Sequence, residues 1–474
     1  MAYQTINPYT NEVVKEYSDA TDQQLEDALQ KGHELYQSFK TQDIKERAEM
    51  LHQVAAKIRE RSDELARTCT IEMGKLLGEA EGEVELCAII AEWYADNAED
   101  MLAPEEIETG ANGKAEVHYE STGVIMMVEP WNFPYYQIMR VFAPNFMAGN
   151  PMILKHASNT PSSAQLMADV ILDAGAPEGS LTNLFLDYDQ VADAIADPRV
   201  QGAALTGSER GGKSIATSAG ENLKQSTLEL GGMDPFLVLS DADMEQVADI
   251  AWRSRIYNAG QECTSSKRFI VMEDRYDEFV ERLKDNFSKL KPGDPLDSDT
   301  TLAPMNTKDA KEKLQGQVDE AIEAGAEVVY GNESYDLPGQ FFMPTILTNV
   351  DRDNPAHTTE LFGPVAVVYK VSSEEEAIEL ANDSPYGLGG IVFSGDSEYG
   401  AKVAKKIETG MVFVNTIRYS LPELPFGGVK RSGYGREMSR TGQMTFVNEK
   451  LIITADEPDM DNIAGGLIAT QELE

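Results

Sequence analysis

The chain has 474 residues, 42% of them hydrophobic, which is enough to bury a sizeable core and suggests about three domains at roughly 150 residues each. It carries 40 Lys+Arg against 81 Asp+Glu, a formal net charge of −41, and a surface of that sign repels nucleic acid and anionic lipid. Its three cysteines, Cys69, Cys87 and Cys263, are too few and too scattered for a disulfide framework.

The opening MAYQTINPYTNEVV has neither a basic start nor an apolar stretch, and no apolar run approaches the ~18 residues of a membrane span. A soluble cytoplasmic protein is expected. Residues 21–104 read as consecutive helices. Leu51, Val54, Ile58, Leu65 and Cys69 recur at spacings of three, four and seven, and Cys87 falls on a similar stripe, so both cysteines are expected in the core. From about residue 115 the period changes. AEVHYESTGVIMMVEP places apolar segments around a Ser-Thr-Gly turn signal, which predicts a hairpin at 113–124.

NPMILKHASNTPSSAQLMADVILDAGAPEG then reads as strand, loop and helix, with Thr160-Pro161 as N-cap and first helical position and Gly175 as the stop. QGAALTGSERGGKSIATSAG repeats that logic. Strands alternating with helices imply an α/β fold with a parallel sheet covered on both faces. A second α/β region runs from about Gly232 to Arg436, and the last twenty residues form an acidic tail with a short apolar patch.

A doubly wound sheet invites a dinucleotide, yet the G-x-G-x-x-G fingerprint is absent. What remains is Thr206-Gly207-Ser208-Glu209-Arg210-Gly211-Gly212 between a strand and a helix, where backbone N–H groups could approach a pyrophosphate. A plain turn and cap explains it equally well. Cys263 is out of character for a core cysteine, since Asn258-Ala259-Gly260-Gln261-Glu262-Cys263-Thr264-Ser265 is small and polar. It reads as a nucleophile or as an ordinary loop thiol. The five histidines show no metal-ligand spacing, which leaves protease and zinc-enzyme readings without partners. Glu229, flanked by leucines, is a general base or an outward residue on an edge strand. Asn132, between prolines and aromatics, is an oxyanion donor or a turn residue.

Taken together these segments are specific. PWNFP at 130–134, LELGG at 228–232, GQEC at 260–263, ELFGP at 360–364 and PFGGVKRSG at 425–433 occur in that order. Over all but its acidic tail, the chain resembles the aldehyde dehydrogenase superfamily. PWNFPYYQIMR, LKHASN and GQECTSSKRFI narrow the resemblance to the short bacterial and archaeal succinate-semialdehyde dehydrogenase branch.

The resemblance implies a Rossmann-like cofactor domain (1–112 and 125–231), a catalytic α/β domain (232–436) and an oligomerisation arm (113–124 and 437–454), ahead of a tail at 455–474. It implies a homodimer or homotetramer acting on a small aldehyde. Cys263 would attack the aldehyde, Asn132 and the Cys263 N–H would hold the oxyanion, and Glu229 would activate water for thioester hydrolysis. Cofactor contacts carry over to Trp131, Lys155, Ser158, Gly207, Ser208, Leu230, Glu360 and Phe362. Ser158 stands where NAD-selective relatives often place a glutamate, so NADP is expected ahead of NAD. Arg140, eight residues after Asn132, would bind a distal carboxylate, with Tyr135 and Ser420 lining the same tunnel. A broad aliphatic or betaine-type aldehyde dehydrogenase is the alternative, and a catalytically dead relative a third reading.

Three positions depart from relatives. Tyr257 stands where some succinate-semialdehyde enzymes have a second arginine, and Ser265 replaces a cysteine that can form a redox disulfide. Glu262 puts an acid beside the nucleophile, where it disfavours the thiolate. The charge itself predicts adaptation to high salt, because at ~1 M the Debye length falls to about 3 Å and self-repulsion is screened.

Overall fold

The computed structural model describes residues 3–110 and 113–456, so most of the expected tail, from 457 on, lies outside the described residues. The N-terminal helices are Asp22–Phe39, Ile44–Glu60, Ser62–Met73 and Leu77–Met101. Thr21 and Gln24 close a capping box on the first, Asp43 caps the second, and Gly74 in the left-handed region (φ 89°) ends the third. Leu51, Val54, Ile58, Leu65, Cys69 and Cys87 are all fully buried, as the helical spacing requires.

The first helix packs Leu25, Ala28 and Leu29 with Val124, Met126 and Ile153, and the other three pack with Ile125, Met127 and Leu154. They thus cover opposite faces of a six-stranded sheet ordered Gly433–Tyr434, Gln225–Glu229, Val200–Thr206, Val124–Glu129, Met152–His156 and Leu181–Asn183. The strands run parallel except for the short antiparallel edge Gly433–Tyr434. Thr206 pairs with Glu229 and Val128 with Leu205, so Glu129, Thr206 and Glu229 gather at adjoining carboxyl ends. In open α/β sheets that is the edge where ligands bind.

A seven-stranded sheet has the order Glu327–Tyr330, Thr345–Thr348, Val365–Val371, Ser266–Met272, Asp234–Val238, Ile391–Phe393 and Phe413–Val414. Ser266–Met272 is central and buried, which roots the Cys263 loop immediately before it in rigid structure. The mixed α/β architecture with two parallel-rich sheets is the one expected.

The hairpin expected at 113–124 does not form. Lys114–Ser121 pairs with Val447–Thr454 and Glu105–Ile107 in a separate three-stranded antiparallel sheet, whereas Val124–Glu129 enters the six-stranded one. Thr122-Gly123 is thus a crossing between sheets. Gly123 has φ 150°, and a Cβ there would lie 2.6 Å from Gln201 Cγ. Among the described residues, no helix is long and apolar enough to cross a membrane.

Candidate active site

The nucleophile loop is built on left-handed backbone. Asn258, Ala259 and Gly260 have φ of 54°, 52° and 72°, and a Cβ on Gly260 would lie 2.5 Å from the Gly363 carbonyl. Such a run persists only where its surroundings hold it. Asn258 Nδ2 donates to the Asn132 and Gln261 carbonyls at 2.9 and 3.1 Å, and Asn258 N donates to Glu79 at 3.2 Å. Below the loop, the buried Lys267 ammonium donates to the Glu262 and Cys263 carbonyls, 2.8 Å each, and pairs with Glu360 at 3.2 Å.

Asn132 is held from both sides. Its Nδ2 donates to the Gln261 carbonyl at 3.1 Å, two residues before Cys263, and its Oδ1 accepts from Gln137 Nε2 at 3.1 Å. The PWNFP turn rests on a buried ion pair between Lys75 and Glu83. Glu83 also accepts from Tyr135 N and Tyr136 N, at 2.8 and 3.1 Å, satisfying orphan donors at the start of helix Tyr136–Ala148. Lys75 Nζ sits 3.7 Å from the centroid of the Phe133 ring.

Glu229 ends its strand fully enclosed, and its carboxylate oxygens have no hydrogen-bond partner among the described residues. Gly427 has φ 147°, and a Cβ on it would come within 2.6 Å of Glu229 Oε1 and displace the acid from this position. Arg140, ion-paired to the buried Glu437, and Glu129 complete a cluster around it. Burial first, and then the Glu437 charge, raise Glu129 and Glu229 well above the carboxylate range, with Arg140 opposing. Cys263 behaves similarly. Burial pushes its thiol up to about 12, against the pull of Lys267 and Arg140.

Two cavities meet at this point. A cavity of about 500 Å³ is walled by Tyr136, Arg140, Tyr257, Arg418, Ser420 and Phe426 among others. A second, of about 700 Å³, opens at the carboxyl ends of the six-stranded sheet. Cys263 and Gln137 belong to the walls of both. A thiol at such a junction can reach a small molecule in one chamber while a second molecule occupies the other.

Of the residues expected at a cofactor, Trp131, Gly207, Ser208, Leu230, Glu360 and Phe362 line the larger cavity. The rings of Trp131 and Phe362 meet edge-on at 5.8 Å. Ser208 caps helix Glu209–Glu221, whose N-terminus faces the same cavity. Glu209, the acid at that N-terminus, is engaged by Tyr386 at 2.8 Å and by Arg431, which limits its repulsion of a phosphate. These features fit a dinucleotide. Lys155 and Ser158 lie outside that wall, at and just past the carboxyl end of the neighbouring strand Met152–His156. Lys155 is buried, 5.5 Å from the ring centroids of both Tyr3 and Tyr188, and burial lowers it to about 8.

Among the substrate residues, Arg140 and Ser420 line the smaller cavity. Tyr135 does not. It is fully buried on the opposite side, its hydroxyl donating to the Leu65 carbonyl at 2.9 Å. Successive helical positions point about 100° apart, so Tyr136, Gln137 and Arg140 share the cavity face and Tyr135 turns away. Arg140 is also not the free guanidinium expected, because Glu437 takes its Nε and Thr206 Oγ1 accepts from Nη2 at 3.1 Å. Sequence reasoning passed over Lys267, Asn258, Glu437 and Arg418. Lys267 and Asn258 flank the motif that drew attention to Cys263, and their partners are backbone carbonyls that no pattern of side chains reveals.

The aldehyde dehydrogenase family model matches residues 1–452. A succinate-semialdehyde dehydrogenase [NADP(+)] of Deinococcus radiodurans is 46% identical over 95% of this chain and 94% of its own length. Another protein so named, from Mycobacterium avium, is 41% identical over 98% of this chain and 99% of its own. The crystal structure of the succinic semialdehyde dehydrogenase from Streptococcus pyogenes in complex with NADP+ is 56% identical. It superposes with a TM-score of 0.95 over 96% of this chain and all of that one. With a thiol at the meeting of two cavities and a family match over nearly its full length, the chain belongs to the aldehyde dehydrogenase family.

Proposed function

We propose that the protein oxidises succinate semialdehyde to succinate with NADP as the preferred acceptor. One observation carries the reading: Cys263 lies in the wall shared by a sheet-end cavity fit for a dinucleotide and a smaller cavity bearing a guanidinium. The similarity to succinate-semialdehyde dehydrogenases named for NADP(+) supports the substrate and cofactor.

NADP bound along the larger cavity supplies a hydride acceptor. Trp131, Leu230 and Phe362 line that cavity, and Gly207 and Ser208 at the helix N-terminus would hold the pyrophosphate. Lys155 and Ser158 at the next strand end would hold the 2′-phosphate. Cys263 Sγ, its proton passed to cavity water, attacks the aldehyde carbon. Asn132 Nδ2 and the Cys263 N–H steady the oxyanion, an interaction whose loss typically costs ~10²–10³ in turnover. Once the carbon is oxidised, a thioester remains on Cys263. Glu229, after rotating from its buried position, takes a proton from the water that cleaves the thioester, releasing succinate and restoring the thiol.

Arg140, with Nε and Nη2 engaged, offers its remaining edge to the distal carboxylate, and Ser420 adds a hydroxyl. The exposed Leu451 and Ile453 on edge strand Val447–Thr454 support assembly of a homodimer or homotetramer through the three-stranded sheet. A salt-adapted cytoplasmic setting suits the charge.

The test compares kcat/KM for succinate semialdehyde and for butanal in Arg140→Ala, with NADP in molar salt. Because Arg140 also favours the Cys263 thiolate, both aldehydes are expected to lose activity, and a charge-assisted bond of ~1.5–3 kcal/mol predicts an additional loss of about 10- to 100-fold on the charged substrate. Equal losses on both aldehydes would remove the carboxylate role.

A further inference from the structure

Glu262 places a carboxylate one residue before the nucleophile and in the wall of the same cavity, where an unpaired negative charge opposes formation of a thiolate. The fold answers it with a residue 156 positions further along. Arg418, in the loop after strand Phe413–Val414, pairs with Glu262 through Nη2. Its Nε donates to Thr264 Oγ1 at 3.2 Å, and Thr264 Oγ1 donates to Glu262 Oε1 at 3.0 Å, closing a triangle around the carboxylate. Nη1 is anchored on helix Met244–Ile256 by the Ser254 carbonyl at 3.3 Å and the Ser254 hydroxyl at 3.1 Å. The guanidinium is therefore fixed on three sides, with its side chain only 9% exposed.

Resting on the reading of Cys263 as the nucleophile, we propose that Arg418 is a positioning residue that cancels the Glu262 charge, so that the thiolate forms beside a neutral pair instead of beside an anion. The other charged groups facing Cys263 belong to different elements. Lys267 on Ser266–Met272 and Arg140 on Tyr136–Ala148 favour the thiolate, while Asp234 on Asp234–Val238 and Glu360 in the loop before Val365–Val371 oppose it. With Lys267 already paired to Glu360 and Arg140 to Glu437, neither cation is available to Glu262. Arg418 is the group that meets it.

The readout is the pH profile of Cys263 alkylation by iodoacetamide in the full-length protein, with the site of labelling identified by mass spectrometry. In that reaction the thiolate sulfur forms a bond to the methylene carbon, the carbon–iodine bond breaks, and iodide leaves. Arg418→Met is expected to react about tenfold more slowly at pH 8, with its profile displaced upward by about one unit. Glu262→Gln, which leaves the cation uncompensated, is expected to react severalfold faster than the unmodified protein. Combining the two substitutions is expected to restore a rate within about threefold of the original, and Arg418→Lys to retain it. Should Arg418→Met not fold, Glu262→Gln and the double variant still decide the matter.

Unchanged profiles in Glu262→Gln and Arg418→Met would overturn the proposal, as would a double variant as slow as Arg418→Met. Undiminished turnover in Cys263→Ala is a different failure. It would sink the catalytic reading while leaving the charge-pair result on alkylation intact.

Discussion

At the scale of single residues, burial sets the chemistry. Burial holds the Lys155 ammonium down to about 8, and among the described residues no acid forms an ion pair with it. A 2′-phosphate needs that ammonium charged. As pH rises through 8 the free enzyme loses the charge, and KM for NADP is expected to climb by up to tenfold per unit while KM for NAD stays flat. A ratio of the two that does not change between pH 7 and 9.5 would remove Lys155 from cofactor selection. Cys263, Glu229 and Asn132 stood out as candidates because each is the wrong kind of residue for its local context, and five ordered motifs linked them. Tyr135 was misread because the resemblance places the tunnel helix but not its phase. The helix begins at Tyr136, and one residue earlier the side chain points at Leu65. Arg418 left no signal at all, since its partner Glu262 is distant in sequence and neither sits in a pattern that requires the other.

Among elements, the start of helix Tyr136–Ala148 matters most, because it carries the cavity-facing residues and follows directly on the Asn132 turn. Its first N–H donors end on Glu83, whose charge is met by Lys75, and both side chains are almost entirely enclosed. Removing one member of a buried pair typically costs about 3–5 kcal/mol, because the survivor is left charged and unpartnered. Glu83→Ala is therefore expected to lower thermal stability markedly, and to lower kcat through displacement of Asn132. Lys75→Met combined with Glu83→Leu should recover the part due to the stranded charge but neither the part due to the unmet Tyr135 and Tyr136 N–H donors nor the turnover. If the single and double variants melt together, the pair is not what secures the turn. The N-terminal helices and the strand–loop–helix units around Met152–His156 and Val200–Thr206 could be read from periodicity, whereas the order of strands within either sheet could not. The hairpin could not, because Ser-Thr-Gly marks a reversal and a crossing between sheets with the same residues, and only the pairing of Lys114–Ser121 with Val447–Thr454, over 300 residues away, separates them. An antiparallel partner so remote leaves no local trace.

For the whole molecule, the excess of 41 negative charges is a property of the surface more than of the site. The Debye length shrinks from about 10 Å at 0.1 M to about 3 Å at 1 M, so repulsion across the surface fades over that range. The thermal midpoint is expected to rise steeply between 0.1 and 2 M KCl and then level off, and a flat profile in calorimetry would reject salt adaptation. The enclosed pairs around the active site, Lys75 with Glu83 and Arg140 with Glu437, are shielded from bulk ions and should contribute little to that slope.

The distribution of sulfur has a practical consequence of its own. Cys69 and Cys87 are sealed in the helical layer whereas Cys263 lines both cavities, and residue 265 offers a hydroxyl where a second thiol could have stood. A mild electrophile thus finds one reactive atom per folded polypeptide, and its uptake counts competent molecules directly. The same arrangement leaves that atom without a resolving neighbour, so peroxide carries it past the sulfenic acid with no internal disulfide to interrupt the damage.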